Sequence, residues 1–268
     1  MITSSANARV KQIIQWQSKA KERRKAKVFL AEGIKMFEEA PEERILEVYL
    51  SQEMEAKIKG TFNEGHEIKE KLKRTGYEVV ASELFVKMSD TQTPQGILTV
   101  LKQPEYELEE MLSCENPLLV VLENLQDPGN LGTILRTGEG AGITGVIMSN
   151  NTVDIFNPKT IRATMGSIYR VPFLYVEDLK ATLQKLQEHG IHTYAAHLEG
   201  EQYYDGVSFC EPTAFIIGNE GNGLTRDIAD KADSYLKIPM EGQVESLNAA
   251  VATALLMYEA HRQRNIGK

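Results

Sequence analysis

The sequence predicts two α/β domains, the second built on a parallel sheet. Three observations lead there. At 268 residues the chain exceeds the ~100–200 of one ordinary domain. Short apolar runs alternate with helical patterns along its length. Finally, Leu118 to Gly142 (LLVVLENLQDPGNLGTILRTGEGAG) sets an apolar run against the polar turn Asp127-Pro128-Gly129-Asn130. A helical pattern of Leu131, Ile134, Leu135 and Ala141 follows and stops at Gly142. Strand, tight turn and helix make a βα unit whose turn faces a ligand.

Taken in order, residues 6–26 read as one helix, apolar at Val10, Ile13, Ile14 and Trp16 and basic in its second half. Strands follow at 28–31, 46–50, 77–80 and 96–101, with helices from Gly33 to Glu39, over 67–74 and over 82–88, the last capped by Ser82. Residues 1–105 form a small α/β domain without a catalytic constellation, read as a recognition module. The stretch from Lys102 to Pro117, with two prolines (Pro104 and Pro117) and an acidic helix-like middle, reads as linker, with 106–117 separating the two domains. In the second domain, 118–268, strands are expected at 118–122, 145–149, 171–175, 192–196, 214–217 and 235–238. Helices are expected from Asn157-Pro158, over 177–189 and from Ser246 to about Gln263. Strands joined by helices imply a parallel sheet with ligands at the carboxyl ends of the strands.

The net charge of −8 is segregated: eight basic residues against Glu22 alone give residues 1–30 a charge of +7, leaving −15 for the rest. Such an arm, including Arg9, Lys11, Arg23, Arg24 and Lys25, suits phosphate contacts. No run of 18 apolar residues and no N-terminal apolar signal core occur, so no membrane partner is expected and the cytoplasm is the expected compartment. Cys114 and Cys210 are the two cysteines, without a CxxC or a histidine cluster; two buried thiols and no metal are expected.

Three loops fall at strand ends: 124–130, 218–223 and 239–248. In the first, Asp127 can cap the helix, and Arg136, a cation where helix N-termini prefer anions, points to an anionic partner over the crevice of Asn124, Asp127 and Asn130. The second, GNEGNG, has GxxGxG spacing rather than the GxGxxG of dinucleotide folds, which disfavours a nicotinamide enzyme. In the third, Ser246 is a natural N-cap for the last helix.

In this order, the loops resemble the three signatures of the SpoU/TrmH family of knotted (SPOUT) RNA 2′-O-methyltransferases. Asn124, Asp127-Pro128, Asn130, Gly132 and Arg136 match the first, IIGNEGNGL with Glu220 the second, and IPMEGQVESLNAAVATALLMYEA the third. NPKTIRATMGSIYRVPF is also similar to the family, as are the basic first helix, FLAEG and TPQGIL, which resemble its appended L30e-like substrate-binding domain. Gly138, where alanine is usual, and Ala249-Ala250, where valine and serine are commoner, depart from the pattern.

The resemblance implies a C-terminal trefoil knot, an exception to unknotted topology, and a homodimer packed through the knotted domain. It implies S-adenosylmethionine at Gly218, Ile238 and Leu247, with Asn219, Met240 and Asn248 beside them. It implies a catalytic set of Arg136, Asn130, Glu220, Ser246 and Asn248, and RNA contacts that include Arg136 and Arg162. The expected reaction is methylation of a ribose 2′-hydroxyl in structured RNA, with 23S ribosomal RNA preferred and tRNA the alternative. A non-enzymatic RNA-binding protein is the reading from another class.

Overall fold

The computed structural model describes residues 1–60, 66–243 and 246–266. The first part of the chain runs α1 (Ala8–Ser18), α2 (Ala20–Ala26), β1 (Val28–Glu32), α3 (Ile34–Glu39), β2 (Ile45–Ser51), α4 (Gln52–Lys59), α5 (His66–Thr75), β3 (Glu78–Val80), α6 (Ser82–Met88) and β4 (Ile97–Lys102). The second runs α7 (Leu108–Leu112), β5 (Leu118–Leu122), α8 (Pro128–Ala141), β6 (Gly145–Ser149), α9 (Pro158–Thr164), β7 (Phe173–Val176), α10 (Leu179–Glu188), β8 (His192–Ala196), β9 (Gln202–Tyr203), β10 (Thr213–Ile217), α11 (Arg226–Ala229), β11 (Ser234–Lys237) and α12 (Ala249–Arg264). The chain divides into two units. Met1–Pro104 with Asp154–Tyr169 form the first, and Glu105–Val153 with Arg170–Lys268 the second.

In the first unit the strands lie in the order β1-β4-β2-β3, with β4 antiparallel to both neighbours and β3 parallel to β2. Period-two alternation divides the core between the two faces of the sheet. Leu30, Tyr49, Leu98 and Val100 meet Val10, Ile13 and Trp16 of α1 and Leu84 and Phe85 of α6. Val48, Leu50 and Ile97 meet Phe37 of α3, Met54 of α4 and Ile68 and Leu72 of α5.

The single helix expected over 6–26 is broken at Lys19, whose backbone is extended. The break leaves carbonyls open at the end of α1, and Arg23 turns inward to take them. Its guanidinium donates to Trp16 O at 2.5 Å and Gln17 O at 3.1 Å, and pairs with Asp154 at 2.6 Å. Arg23, expected to contact RNA, is only 3% exposed and is not available to a phosphate.

Residues 154–169, expected in the second domain, cluster with the first unit. Phe156 stacks on Phe29 of β1 with ring centroids 5.1 Å apart, and the Tyr169 hydroxyl donates to Met36 O at 2.9 Å. The expected linker holds α7, whose Met111 is buried in the core of the second unit. Three smaller corrections follow. The N-cap of α6 is Ala81, with Ser82 inside the helix. Helix α4 has apolar burial only at Met54, so its pattern was too weak to read. Both cysteines are exposed rather than buried.

The second unit carries a seven-stranded sheet, β7-β6-β5-β10-β8-β11-β9, parallel at every pairing. Its central strand, β10, and the neighbouring β5 are each buried at all five residues, as apolar runs in a two-sided sheet should be. One face packs Leu119, Val121 and Ile216 against Leu179, Leu183 and Leu186 of α10; α12 packs against β10 and α8. From β5 the chain builds outward through β6 and β7, then crosses to β8 and returns to β10 beside β5. The order reverses at β5/β10, where a parallel sheet opens a crevice at its carboxyl edge.

Breaking a buried ion pair leaves the surviving charge uncompensated, so Asp154→Ala should lower stability by about 3 kcal/mol, measured by urea unfolding. Surface pairs such as Arg162–Asp90 should matter far less.

Candidate active site

Three loops emerge at that edge, and a carboxylate joins the first two. Asn124 leaves β5 in the left-handed region (φ 55°), where asparagine is tolerated, and turns the chain toward α8. Asp127 caps α8 as expected, its side chain accepting from Asn130 N at 2.8 Å, with Pro128 at the first turn. Glu220, from the second loop, accepts from Gln126 N at 3.0 Å, Asp127 N at 2.9 Å and Asn130 Nδ2 at 3.0 Å. Partial burial pushes the Glu220 pKa up, but these hydrogen bonds outweigh it and hold the group below the usual carboxylate range. A depressed folded pKa means the contribution is complete above the unfolded value of about 4.3 and is lost as pH falls through the folded one.

The third loop joins through Asn130. Asn248 Nδ2 donates to Asn130 Oδ1 at 3.0 Å, while Asn248 Oδ1 accepts from Ala250 N at 2.9 Å and Val251 N at 3.3 Å. Asn248 is therefore the N-cap of α12, and the expectation that Ser246 caps it is corrected. Both residue types are good caps; here the Asn248 amide accepts from the helix through its oxygen and donates across to Asn130 through its nitrogen. Val244 and Glu245 of the third motif lie outside the described residues.

The second loop is closed on itself. Asn219 exchanges backbone hydrogen bonds with Gly223, its Oδ1 accepts from Gly221 N and Asn222 N, and its Nδ2 donates to Asn124 O at 2.9 Å. Gly218 packs so closely under this turn that a Cβ would sit 2.1 Å from the Gly223 carbonyl carbon and 2.2 Å from Leu224 N. Only glycine fits there.

A cavity of about 400 Å³ opens between the second and third loops. Gly218, Asn219, Ile238, Met240 and Leu247 line it together, as do Glu220 and Ser246. The sequence reading missed its third wall, His197 to Glu199 at the end of β8. The carboxyl edge of a parallel strand was the available signal. Gly200 holds that wall against β11, its ideal Cβ falling 2.8 Å from the Leu236 carbonyl carbon. Asn130 and Asn248 stand behind the cavity rather than on its wall.

Arg136 does not join the crevice of Asn124, Asp127 and Asn130. It is exposed on α8, and no described residue pairs with its side chain. Six residues along a helix is about 9 Å and about one and two-thirds turns, which takes Arg136 off the Asn130 face. It lies one turn from Thr133, which borders an exposed groove with Val251, Leu255 and Tyr258 of α12. Among the other expected RNA contacts, Arg9 pairs with Glu78 and Arg162 with Asp90, whereas Lys11, Arg24 and Lys25 are exposed. Among the described residues, no cluster of three or more His, Cys, Asp or Glu is placed to hold a metal. None of their helices is long and apolar enough to cross a membrane.

A parallel sheet whose carboxyl-edge loops surround a glycine-walled cavity is the ligand-binding arrangement of open α/β proteins. Residues 117–258 match the SpoU rRNA Methylase family, and residues 7–99 match the MRM3-like substrate binding domain. The chain is 33% identical over 257 residues to the 23S rRNA (guanosine(2553)-2′-O)-methyltransferase RlmP of Bacillus subtilis, covering 96% of this chain and 97% of that one. AdoMet-bound rRNA methyltransferase from Sinorhizobium meliloti superposes with a TM-score of 0.85 at 28% identity, covering 97% of each chain. The SpoU methyltransferase AviRb of Streptomyces viridochromogenes, in complex with AdoMet, does so with a TM-score of 0.85 at 25% identity, covering 98% of this chain and 100% of AviRb. This chain belongs to the SpoU rRNA methylase family, with the α/β fold of its members. It is an S-adenosylmethionine-dependent RNA 2′-O-methyltransferase.

Gly218→Ala should weaken S-adenosylmethionine binding at least a hundredfold, read by calorimetric titration. Asn248→Ala should cost about 1 kcal/mol of stability as a lost cap, whereas Ser246→Ala should leave thermal stability unchanged.

Proposed function

We propose that this protein methylates a ribose 2′-hydroxyl of 23S ribosomal RNA, using S-adenosylmethionine held in the cavity of Gly218, Ile238 and Leu247. The observation that carries the reading is that five of the six expected cofactor positions, Gly218, Asn219, Ile238, Met240 and Leu247, drawn from separate stretches of sequence, line one cavity, Asn248 being the exception. Its walls suit the group: apolar side chains of Ile217, Leu224, Leu236 and Leu247 alternate with polar loop backbone, and Gly218 leaves a cradle that a Cβ would fill. When bound, S-adenosylmethionine supplies an electrophilic methyl on its sulfonium. Ribosomal RNA is favoured over tRNA because the 23S rRNA relative spans 96% of this chain, whereas a structure concerned with C/U34 of tRNA covers 55%.

The residues divide the work. Arginine stays protonated in proteins, so Arg136 is not a free base. It grips an RNA phosphate bidentately, and its field eases loss of the 2′-hydroxyl proton to that phosphate or to water. Ser246 orients the ribose and the cofactor from the cavity wall, Asn130 and Asn248 support it through the hydrogen bond that joins their loops, and Glu220 keeps the loops in register. Exposed Lys11, Arg24 and Lys25 take backbone phosphates. Arg9 and Arg162 can exchange weak surface partners for RNA.

The knotted chain path and a homodimer belong to the same reading. Val251, Leu255 and Tyr258 are 49%, 37% and 48% exposed along α12, an apolar stripe for a second copy of this face. Arg136 lies beside that stripe, so pairing brings the arginine of each copy to the interface. The cytoplasm, where ribosomal RNA is made and assembled in bacteria, is the proposed compartment.

Mapping 2′-O-methyl marks in total RNA from a deletion strain should show one 23S position lost and restored by complementation. Arg136→Lys, which keeps the charge but loses the fork, should reduce transfer at least a hundredfold in a labelled-methyl assay. Full activity in that variant would remove the guanidinium from the mechanism.

A further inference from the structure

Glu123, the first residue after β5, carries a carboxylate buried to 5% exposure, although it takes no part in the chemistry above and does not line the cavity. A buried charge is tolerated only when hydrogen bonds replace its water. Here both oxygens are engaged by one residue: Thr225 N donates at 2.8 Å and Thr225 Oγ1 at 2.6 Å. The backbone of Glu123 is held as well, its N donating to Ile217 O at 2.9 Å. Ile217 precedes Gly218, and Thr225 follows Leu224. One residue therefore grips the loop of 218–224 immediately before its start and immediately after its end.

We propose that Glu123 is a positioning residue for the cofactor, fixing the separation of the two ends of the loop that forms one cavity wall. The argument rests on the reading that this cavity holds S-adenosylmethionine. The clearance at Gly218 makes the separation matter: with an ideal Cβ only 2.1 Å from Gly223, the turn has no slack for its ends to drift without changing the wall. A carboxylate is suited to the task because Thr225 presents two donors, N–H and O–H, to a group that only accepts. Glutamine has the same shape but keeps both contacts only with its oxygen on Thr225 N–H and its NH₂ donating to the hydroxyl, which exchanges two charge-assisted hydrogen bonds for weaker neutral ones.

The test uses the full chain. Glu123→Gln should weaken S-adenosylmethionine binding at least tenfold by calorimetric titration, with the Michaelis constant for RNA changed less than twofold. Thr225→Val, which strands one oxygen, should also weaken cofactor binding, and Thr225→Ser, which keeps both donors, should restore it. A folded Glu123→Gln protein with cofactor affinity within twofold of wild type overturns the proposal. If Glu123→Gln does not fold, the threonine pair decides: a valine variant that binds as the serine variant and the wild type do overturns it. If Gly218→Ala is indifferent too, the placement of the cofactor falls with it. If Gly218→Ala loses binding and the Glu123 and Thr225 variants do not, the positioning role falls alone.

Discussion

The site is made of loops, and loops keep a shape only when something outside their own backbone holds them. Glu220 does most of that. Its carboxylate gathers two backbone amides and the Asn130 side chain, and Asn130 passes the restraint to Asn248. Charge-assisted hydrogen bonds are stronger than neutral ones, so an acid at this node holds more firmly than an amide would. The cavity follows from this node: with the first and third loops fixed to the second, Gly218, Ile238 and Leu247 cannot separate independently.

The same division of labour runs through the second unit. The sheet contributes a rigid edge at the β5/β10 reversal, and polar side chains convert that edge into a site. Pre-organised loops cost less to order when a ligand arrives. Asn219 also shows how little chain this needs, using backbone, amide oxygen and amide nitrogen to close one turn and bind it to Asn124.

Much of this was legible in sequence where burial dominates. The strands Leu118–Leu122, Gly145–Ser149 and His192–Ala196 lie where short runs between turn residues placed them, because runs of this length with such flanks are too short for a helix. What depends on long-range partners was not legible. Lys19 breaks the first helix because Arg23 satisfies the carbonyls it exposes, with Asp154 completing the pair from 131 residues away. Asn248 rather than Ser246 caps α12 because of an amide 118 residues away. Arg136 sits off the crevice face because a motif read as a string ignores rotation about the helix. The wall at His197–Glu199 carries no motif of its own.

Residues 154–169 sit late in the chain, yet they complete the early unit, where Phe156 covers Phe29 and Asp154 neutralises Arg23. The amino-terminal module is thus not a detachable accessory. Severing the polypeptide after Pro104 would separate an aromatic face from its lid and a buried cation from its counter-ion. A fragment ending there would have to expose Phe29 and carry the Arg23 charge without its counter-ion.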